Sequence, residues 1–325
     1  QHFPLLRNAQ PAAGVAAAGG EVSSEGADLV GKPFLARDAI FELTRVWAVL
    51  IAMIAALYVV PAVHRDADPK HGGFIGGWSE WNDGYRDFLR DYVHGRGPAD
   101  RLEYYLKGSP WHFAYWPAQT VNYTESHDDR TWLDAITENG GHNGFHPTQN
   151  DRQRTHLMAA ILLASVGIPL LAAGQDFLRS KHGVNNTYLR GDLNALDYHR
   201  LARYPATHAY FADWIRFRRS PRGQLLRHFS RPGEGFFQCF SRTGAPALVA
   251  IYNADGSQGR TRLMFAVNPH TEDTTVPIGE FGKLGWELIA DHECFYHEGR
   301  HPPGEVAEPD FFIPALGCSL WLSGE

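Results

Sequence analysis

The stretch Gln119-Thr120-Val121-Asn122-Tyr123-Thr124-Glu125-Ser126-His127-Asp128-Asp129 (QTVNYTESHDD, residues 119–129) decides how the chain is read. Its first half is short and rich in β-branched and aromatic side chains, the composition of a strand. Its second half turns abruptly polar, so a strand over residues 120–126 delivers a histidine and two aspartates to its C-terminal end. Side chains just beyond the C-terminal ends of buried parallel strands are where (β/α)₈ barrels carry their chemistry. Asp128 then sits at a barrel mouth, with His127 beside it as a hydrogen-bond donor to a substrate hydroxyl.

Working outward, Arg152–Val166 (RQRTHLMAAILLASV) reads as a helix opened by Asn150 or Asp151 and closed by Gly167. Ile168–Ala173 (IPLLAA) reads as a buried strand, ended by a tight turn at Gly174 that presents Gln175 and Asp176. A polar loop follows to Tyr198, then an aromatic helix over Ala206–Arg218. Upstream, Trp81, Tyr85, Phe88, Leu89 and Tyr92 recur at helical spacing within Trp78–Val93, with Glu80 as a carboxylate at the helix start. Alternating strands and helices predict part of a (β/α)₈ barrel, about strands five to eight. From Gly235 the texture changes to seven short runs broken by turns: FFQCFSR, PALVAIYN, TRLMFAV, TTVPI, WELIAD, DFFIPA and CSLWLS. These predict a C-terminal antiparallel β-sandwich. The chain therefore divides into an Ala/Gly/Ser-rich tail at 1–25, an α/β part at 26–232 and an all-β part at 233–325.

Composition narrows the function classes. The net charge of −6 and the absence of a basic stripe exclude nucleic acid as a partner. Aromatics make up 13%, and flat rings suit the faces of sugars. Three well-separated cysteines (Cys239, Cys294, Cys318) fit a reducing, cytoplasmic setting rather than a disulfide framework. His292, His297 and His301 are spaced through a segment that reads as a turn, which argues against a metal site, and no cofactor is expected. Val46–Val63 runs uncharged for eighteen residues, which fits either a buried barrel strand with its flanks or a short membrane helix. Pro61 and the β-branched residues near it favour the strand.

Four segments in order carry a family resemblance: Trp78–Asp87 (WSEWNDGYRD), Gln119–Asp129, Gly167–Phe177 (GIPLLAAGQDF), and Gly183–Tyr188 continuing to Asp192–Tyr198 (GVNNTY and DLNALDY). They resemble the pullulanase, isoamylase and glycogen-debranching enzymes of the α-amylase superfamily, in their C-terminal portion. There the second and third segments are like the regions of barrel strands seven and eight, and the first is like the segment after strand five. The resemblance implies hydrolysis of α-1,6 branch linkages in glycogen, starch or pullulan, with α-1,4 links as the neighbouring alternative. It makes Asp128 the carboxylate that binds sugar hydroxyls and stabilises the transition state, with His127 assisting. It assigns Gln175, Asn185, Asn186, Tyr188 and Asp192 to the substrate cleft.

The pattern is broken in two places. A retaining glycosidase needs a nucleophile and a general acid about 5 Å apart. The resemblance puts the nucleophile at Asp28, but Gly26 stands where the family has an arginine. The general acid is expected directly after Leu50-Ile51-Ala52, where Met53 stands instead, and the next carboxylate is Asp66. Strands one to three have no counterpart. A truncated or degenerate hydrolase, one part of a split protein, and a non-catalytic α-glucan-binding protein are the readings left open.

Overall fold

A computed structural model describes residues 79–300 and 310–324. The sequence-based expectations for the tail at 1–25, Asp28, Val46–Val63, Met53, Asp66 and His301 lie outside the described residues.

The first described element is a strand, β1 (Glu80–Trp81), not the helix start that the spacing predicts. It passes directly into helix α1 (Asp83–Tyr92), whose N-cap is Asn82: the Asn82 side chain accepts from the Tyr85 N–H at 3.0 Å. The amide nitrogen of Asn82 also donates to Ser109 Oγ (2.9 Å) and Thr120 Oγ1 (3.0 Å). One side chain thus starts the helix and ties it to the next strand. Tyr85, Leu89 and Tyr92 form the buried face of α1, followed by helix α2 (Ala99–Leu106).

Strand β2 (Thr120–Asn122) is shorter than its sequence suggests, because the chain turns after Asn122 to build the loop at the site. Helices α3 (Trp132–Ile136) and α4 (Gln149–Ala164) follow. The N-cap of α4 is Thr148: its Oγ1 accepts from the Asp151 N–H (3.1 Å), and the Asp151 carboxylate accepts from the Thr148 N–H (3.0 Å). From Leu157 to Ala164 every side chain of α4 is buried, as expected of a helix that is apolar all round. Gly167 ends this passage at φ 128°, where a Cβ would come within 2.8 Å of both Asn122 and Thr120. Only glycine allows the chain to pass β2 so closely.

Strand β3 (Ile168–Pro169) completes a parallel sheet in the order β1-β2-β3, with Trp81 beside Val121 and Val121 beside Ile168. The expectation of a buried strand over 168–173 is corrected: Ile168 is 40% exposed, because β3 is an edge of this sheet among the described residues. Three helices follow: α5 (Gly191–Asn194), α6 (His199–Arg203) and α7 (Pro205–Arg219). From α7, the buried Arg218 guanidinium donates to the carbonyls of Leu163 (2.6 Å), Ser165 (2.9 Å) and Gly167 (2.9 Å), satisfying the C-terminal turn of α4.

The remaining strands are β4 (Phe237–Phe240), β5 (Leu248–Tyr252), β6 (Arg262–Asn268), β7 (Thr274–Pro277), β8 (Trp286–Asp291), β9 (Phe295–Arg300), β10 (Asp310–Ile313) and β11 (Gly317–Ser323). They form an antiparallel six-stranded sheet, β4-β5-β6-β11-β8-β9, and a separate pair, β10-β7. All seven runs found in the sequence hold strands. The eighth, β9, was read as a turn because Glu298-Gly299-Arg300 is turn-like in composition; antiparallel pairing with β8 overrides that.

Side-chain alternation sends the six-stranded sheet into two cores. Leu248, Ala250, Tyr252, Leu263, Phe265 and Val267 join the core of the helices, with the Trp214 ring edge-on to Phe265 at 6.2 Å. Val249, Ile251, Met264 and Ala266 face Val276, Ile278, Phe311 and Ile313 of the β10-β7 side. Tyr252 Oη donates to the Ala164 carbonyl (3.0 Å) and Tyr92 Oη to the Pro246 carbonyl (2.6 Å), so each buried tyrosine spends its polar tip on the neighbouring backbone.

Candidate active site

The polar residues expected at the end of β2 do gather there, on a loop braced from below. Tyr123 is buried; its hydroxyl accepts from Arg86 Nη1 (2.8 Å) and donates to Asp83, tying the loop to α1. Thr124 Oγ1 accepts from Gln175 Nε2 (2.9 Å), while Gln175 Oε1 accepts from the Ala172 N–H (2.8 Å). Gln175 is therefore a buried brace between the loops after β2 and β3, with both ends of its amide engaged.

Glu125 is fully buried, and Oε2 accepts from the Trp132 N–H at 2.6 Å. Arg179 approaches Oε1 at 3.8 Å, but among the described residues Oε1 finds no hydrogen-bond partner. Burial pushes this carboxyl up to about 7, against the lowering effect of the Trp132 N–H and the Arg179 charge.

Above this brace the chain turns outward. His127 Nε2 lies 3.3 Å from Asp128 Oδ2, both side chains are exposed, and the Asp128 N–H donates to Ser126 Oγ at 3.2 Å. Asp129 takes φ 59°; its N–H donates to Asn186 Oδ1 (2.9 Å) and its carbonyl accepts from Lys181 Nζ (2.6 Å). Arg130 Nε donates to the Gly183 carbonyl at 3.1 Å. Asp134, wholly buried on α3, completes the clamp by accepting from Ser180 Oγ (2.6 Å) and from the N–H groups of Lys181 (2.6 Å) and Gly144 (2.9 Å).

Of the residues expected in the cleft, Asn186 is thus brought beside the Asp128 turn, and Asn185 lies exposed on the same loop. Tyr188 is 85% exposed, its ring presented to solvent. Asp192 is held in a two-pronged pair by Arg190 (2.9 and 2.7 Å), which keeps its carboxyl below the usual range. Asp192 lines a separate hollow of about 130 Å³ with Phe145, His182, Asp197 and Arg200, in which the Phe145 and His182 rings stack at 4.4 Å. Sequence reasoning did not single out Asp134, Arg179 or Lys181. A carboxylate three residues past Thr131, in capping position, was the available signal for Asp134.

His292 and His297 do not converge: the His292 carbonyl meets His156 Nδ1 at 2.8 Å, and His297 Nε2 faces Asp213 at 3.6 Å. Among the described residues no group of three His, Cys, Asp or Glu could hold a metal ion, and no helix is long and apolar enough to cross a membrane. No disulfide joins Cys239, Cys294 or Cys318.

No protein-family model matches the chain. The chain is similar to pullulanase of Bacillus subtilis, 36% identical over 115 residues, which is 34% of this chain and 15% of that protein. It is also similar to isoamylase of a Flavobacterium species (27% identical, 65% of this chain, 30% of that protein). A third relative is the glycogen debranching enzyme of Yersinia pseudotuberculosis (29%, 68% and 39%). The chain thus spans 15% to 39% of the length of these curated relatives. Among solved structures, pullulanase type I from Bacillus subtilis, complexed with maltose, superposes with a TM-score of 0.67 at 19% identity, over 80% of this chain and 37% of that one. The Group B Streptococcus pullulanase SAP in complex with maltotetraose gives 0.68 at 18%, over 80% and 40%. At such identities the structural likeness speaks to fold alone. Together these matches show the chain to be similar to pullulanase, isoamylase and glycogen debranching enzyme, members of the α-amylase superfamily, over their C-terminal portion.

Proposed function

We propose that the chain carries the C-terminal part of a debranching glycosidase, acting on α-1,6 branch linkages of glycogen, starch or pullulan. In this reading β1, β2 and β3 are barrel strands six, seven and eight, because β1 pairs directly with the strand that resembles the seventh. The antiparallel sheets beyond residue 232 form the sandwich that follows the barrel. Three widely spaced cysteines with no disulfide among them support a reducing compartment.

The observation that supports this reading most directly is the His127-Asp128 turn at the C-terminal end of β2, clamped by the loop after β3 through Asp129, Asn186 and Lys181. An exposed carboxylate on a rigidly held turn accepts hydrogen bonds from sugar hydroxyls. Such bonds tighten as the ring flattens toward an oxocarbenium-like transition state and contribute several kcal/mol there. Asp128 takes that role and His127 donates to the same sugar. Asn185, Asn186, Tyr188 and Asp192 border the path of the glucan, and Gln175 positions the loop from beneath. Asp28 is the candidate nucleophile.

A second reading, binding of α-glucan without cleavage, is favoured by one specific feature: Met53 stands where the general acid belongs, and a thioether has no proton to give. Release of reducing ends from pullulan and glycogen by the 325-residue chain distinguishes the two. Hydrolysis that falls roughly 100- to 1000-fold in Asp128→Asn, the scale for losing one transition-state contact, supports the first reading. Retention on glycogen with no release supports the second. Unchanged turnover and binding in Asp128→Asn sinks the assignment of this turn.

A further inference from the structure

At the opposite end of β2 from Asp128 lies a second feature that the site does not use. The loop leading into the strand and the segment before β4 enclose an open cleft of about 440 Å³, lined by Trp111, Tyr115, Trp116, Phe229, Ser230 and Arg231. Trp111 is 62% exposed and Phe229 92%. The backbone of Trp111 sits at φ 74°, a left-handed conformation that a bulky L-residue adopts only under constraint. The constraint is visible: the Trp111 N–H donates to the Ala114 carbonyl (3.3 Å), and Arg231 Nη2 donates to the same carbonyl (3.0 Å). The Arg231 guanidinium lies 3.8 Å from the Trp111 ring centre and 5.7 Å from that of Tyr115. The Tyr115 and Trp116 rings meet edge-on at 5.6 Å. A strained, pinned backbone therefore holds an indole out of the protein rather than in its core.

We propose that this cleft is a second binding site for a linear α-glucan chain, remote from the Asp128 turn. The inference rests on the α-glucan reading given above. Its lining decides the class of ligand. Four flat rings, the hydroxyls of Tyr115 and Ser230 and one guanidinium line the cleft, with no aliphatic side chain and no carboxylate among the described residues. An amphipathic helix seeks aliphatic pockets, and the Arg231 guanidinium already over the Trp111 and Tyr115 rings repels a cationic ligand. A glucan chain presents apolar C–H faces, which lie on rings, and rim hydroxyls, which bond to Ser230 and Arg231. Held at the far end of β2, such a site anchors a branched polymer while a different segment of it reaches the Asp128 turn.

The test is affinity electrophoresis of the full chain through gels containing glycogen, with maltoheptaose titrated as the soluble competitor. The variants are Trp111→Gly, Phe229→Ser and Asp128→Asn. Glycine takes φ 74° without strain, so Trp111→Gly removes the ring without forcing the backbone. Should Trp111→Gly nevertheless melt early, Phe229→Ser, at a side chain almost wholly in solvent, carries the test. Both cleft variants are expected to lower glycogen affinity about tenfold, the scale of losing one aromatic anchor, with melting temperatures kept. Parent-like retention of both, with retention lost in Asp128→Asn, overturns the second site and leaves the first reading standing. A parent chain that glycogen does not retain at all overturns both.

Discussion

The loops after β2 and β3 and the antiparallel sheets are held together by opposite means. Between the sheets the contact is apolar, with Val249, Ile251, Met264 and Ala266 against Phe311 and Ile313. Beneath the Asp128 turn the interior is polar: Glu125, Asp134 and Lys181 are buried, and Asp134 alone accepts three hydrogen bonds. Apolar burial is non-directional and scales with area, so it stabilises without dictating angles. Buried polar contacts contribute less net stability but fix geometry, because each unmade bond costs the full desolvation of its group. Directional interactions are thus concentrated beneath the Asp128 turn, and apolar area between the sheets.

The comparison can be broken most severely in the sheets. Phe265→Ala, which leaves a cavity beside Trp214, is expected to cost about 3–5 kcal/mol, read as a drop in the denaturant midpoint at unchanged slope. Next comes pH. The Glu125 carboxyl is raised from 4.5 to about 7, so its contribution is fully present below the lower value and is lost as pH rises through the upper one, on the order of 3 kcal/mol. His156 is lowered from 6.5 to about 4 by burial against Thr207 and Tyr210, so its contribution, of similar order, is lost as pH falls through that range. Denaturation followed across both windows should show stability sloping away on each side. Glu125→Gln should remove the alkaline slope alone. A variant that keeps that slope refutes the assignment to Glu125.

Two nearly isosteric changes sharpen the contrast further. Asp134→Asn turns an acceptor toward three donors into a group that is half donor, and should cost about 2–3 kcal/mol. It should also speed amide exchange at whichever of Lys181 and Gly144 then faces the amide nitrogen, since the two N–H groups bond to different oxygens of Asp134. Met264→Leu, equally conservative in shape but between the sheets, should cost less than about 1.5 kcal/mol. Equal losses at the two positions would erase the distinction.

How far the sequence carried this picture depends on how local each signal is. The strands over 248–252, 262–268 and 317–323 were legible because each is a short, almost wholly apolar run bounded by turns. Helix α4 was legible by its apolar length, though its true cap, Thr148, lies earlier than the acidic residues that drew attention. Strand β1 was hidden because two residues ahead of a strong helical pattern carry no period of their own; pairing with β2, forty residues on, makes them a strand. The Asp128 turn was found from composition, but its supports were not. Asp134 meets Lys181 and Ser180, Lys181 meets Asp129, and Arg179 meets Glu125, each across about fifty residues, and no local pattern reports a partner at that range.

Arg218 gives the same long range a meaning in time. The carbonyls of Leu163, Ser165 and Gly167, at and just past the end of α4, are satisfied among the described residues by a guanidinium 51 to 55 residues further along the chain. At a synthesis rate of roughly 5–20 residues per second, those carbonyls wait some 3–10 s for it to be made. Through that interval the passage from α4 into β3 lacks its lock. Slowed translation between α4 and α7 is therefore expected to lower the yield of folded chain.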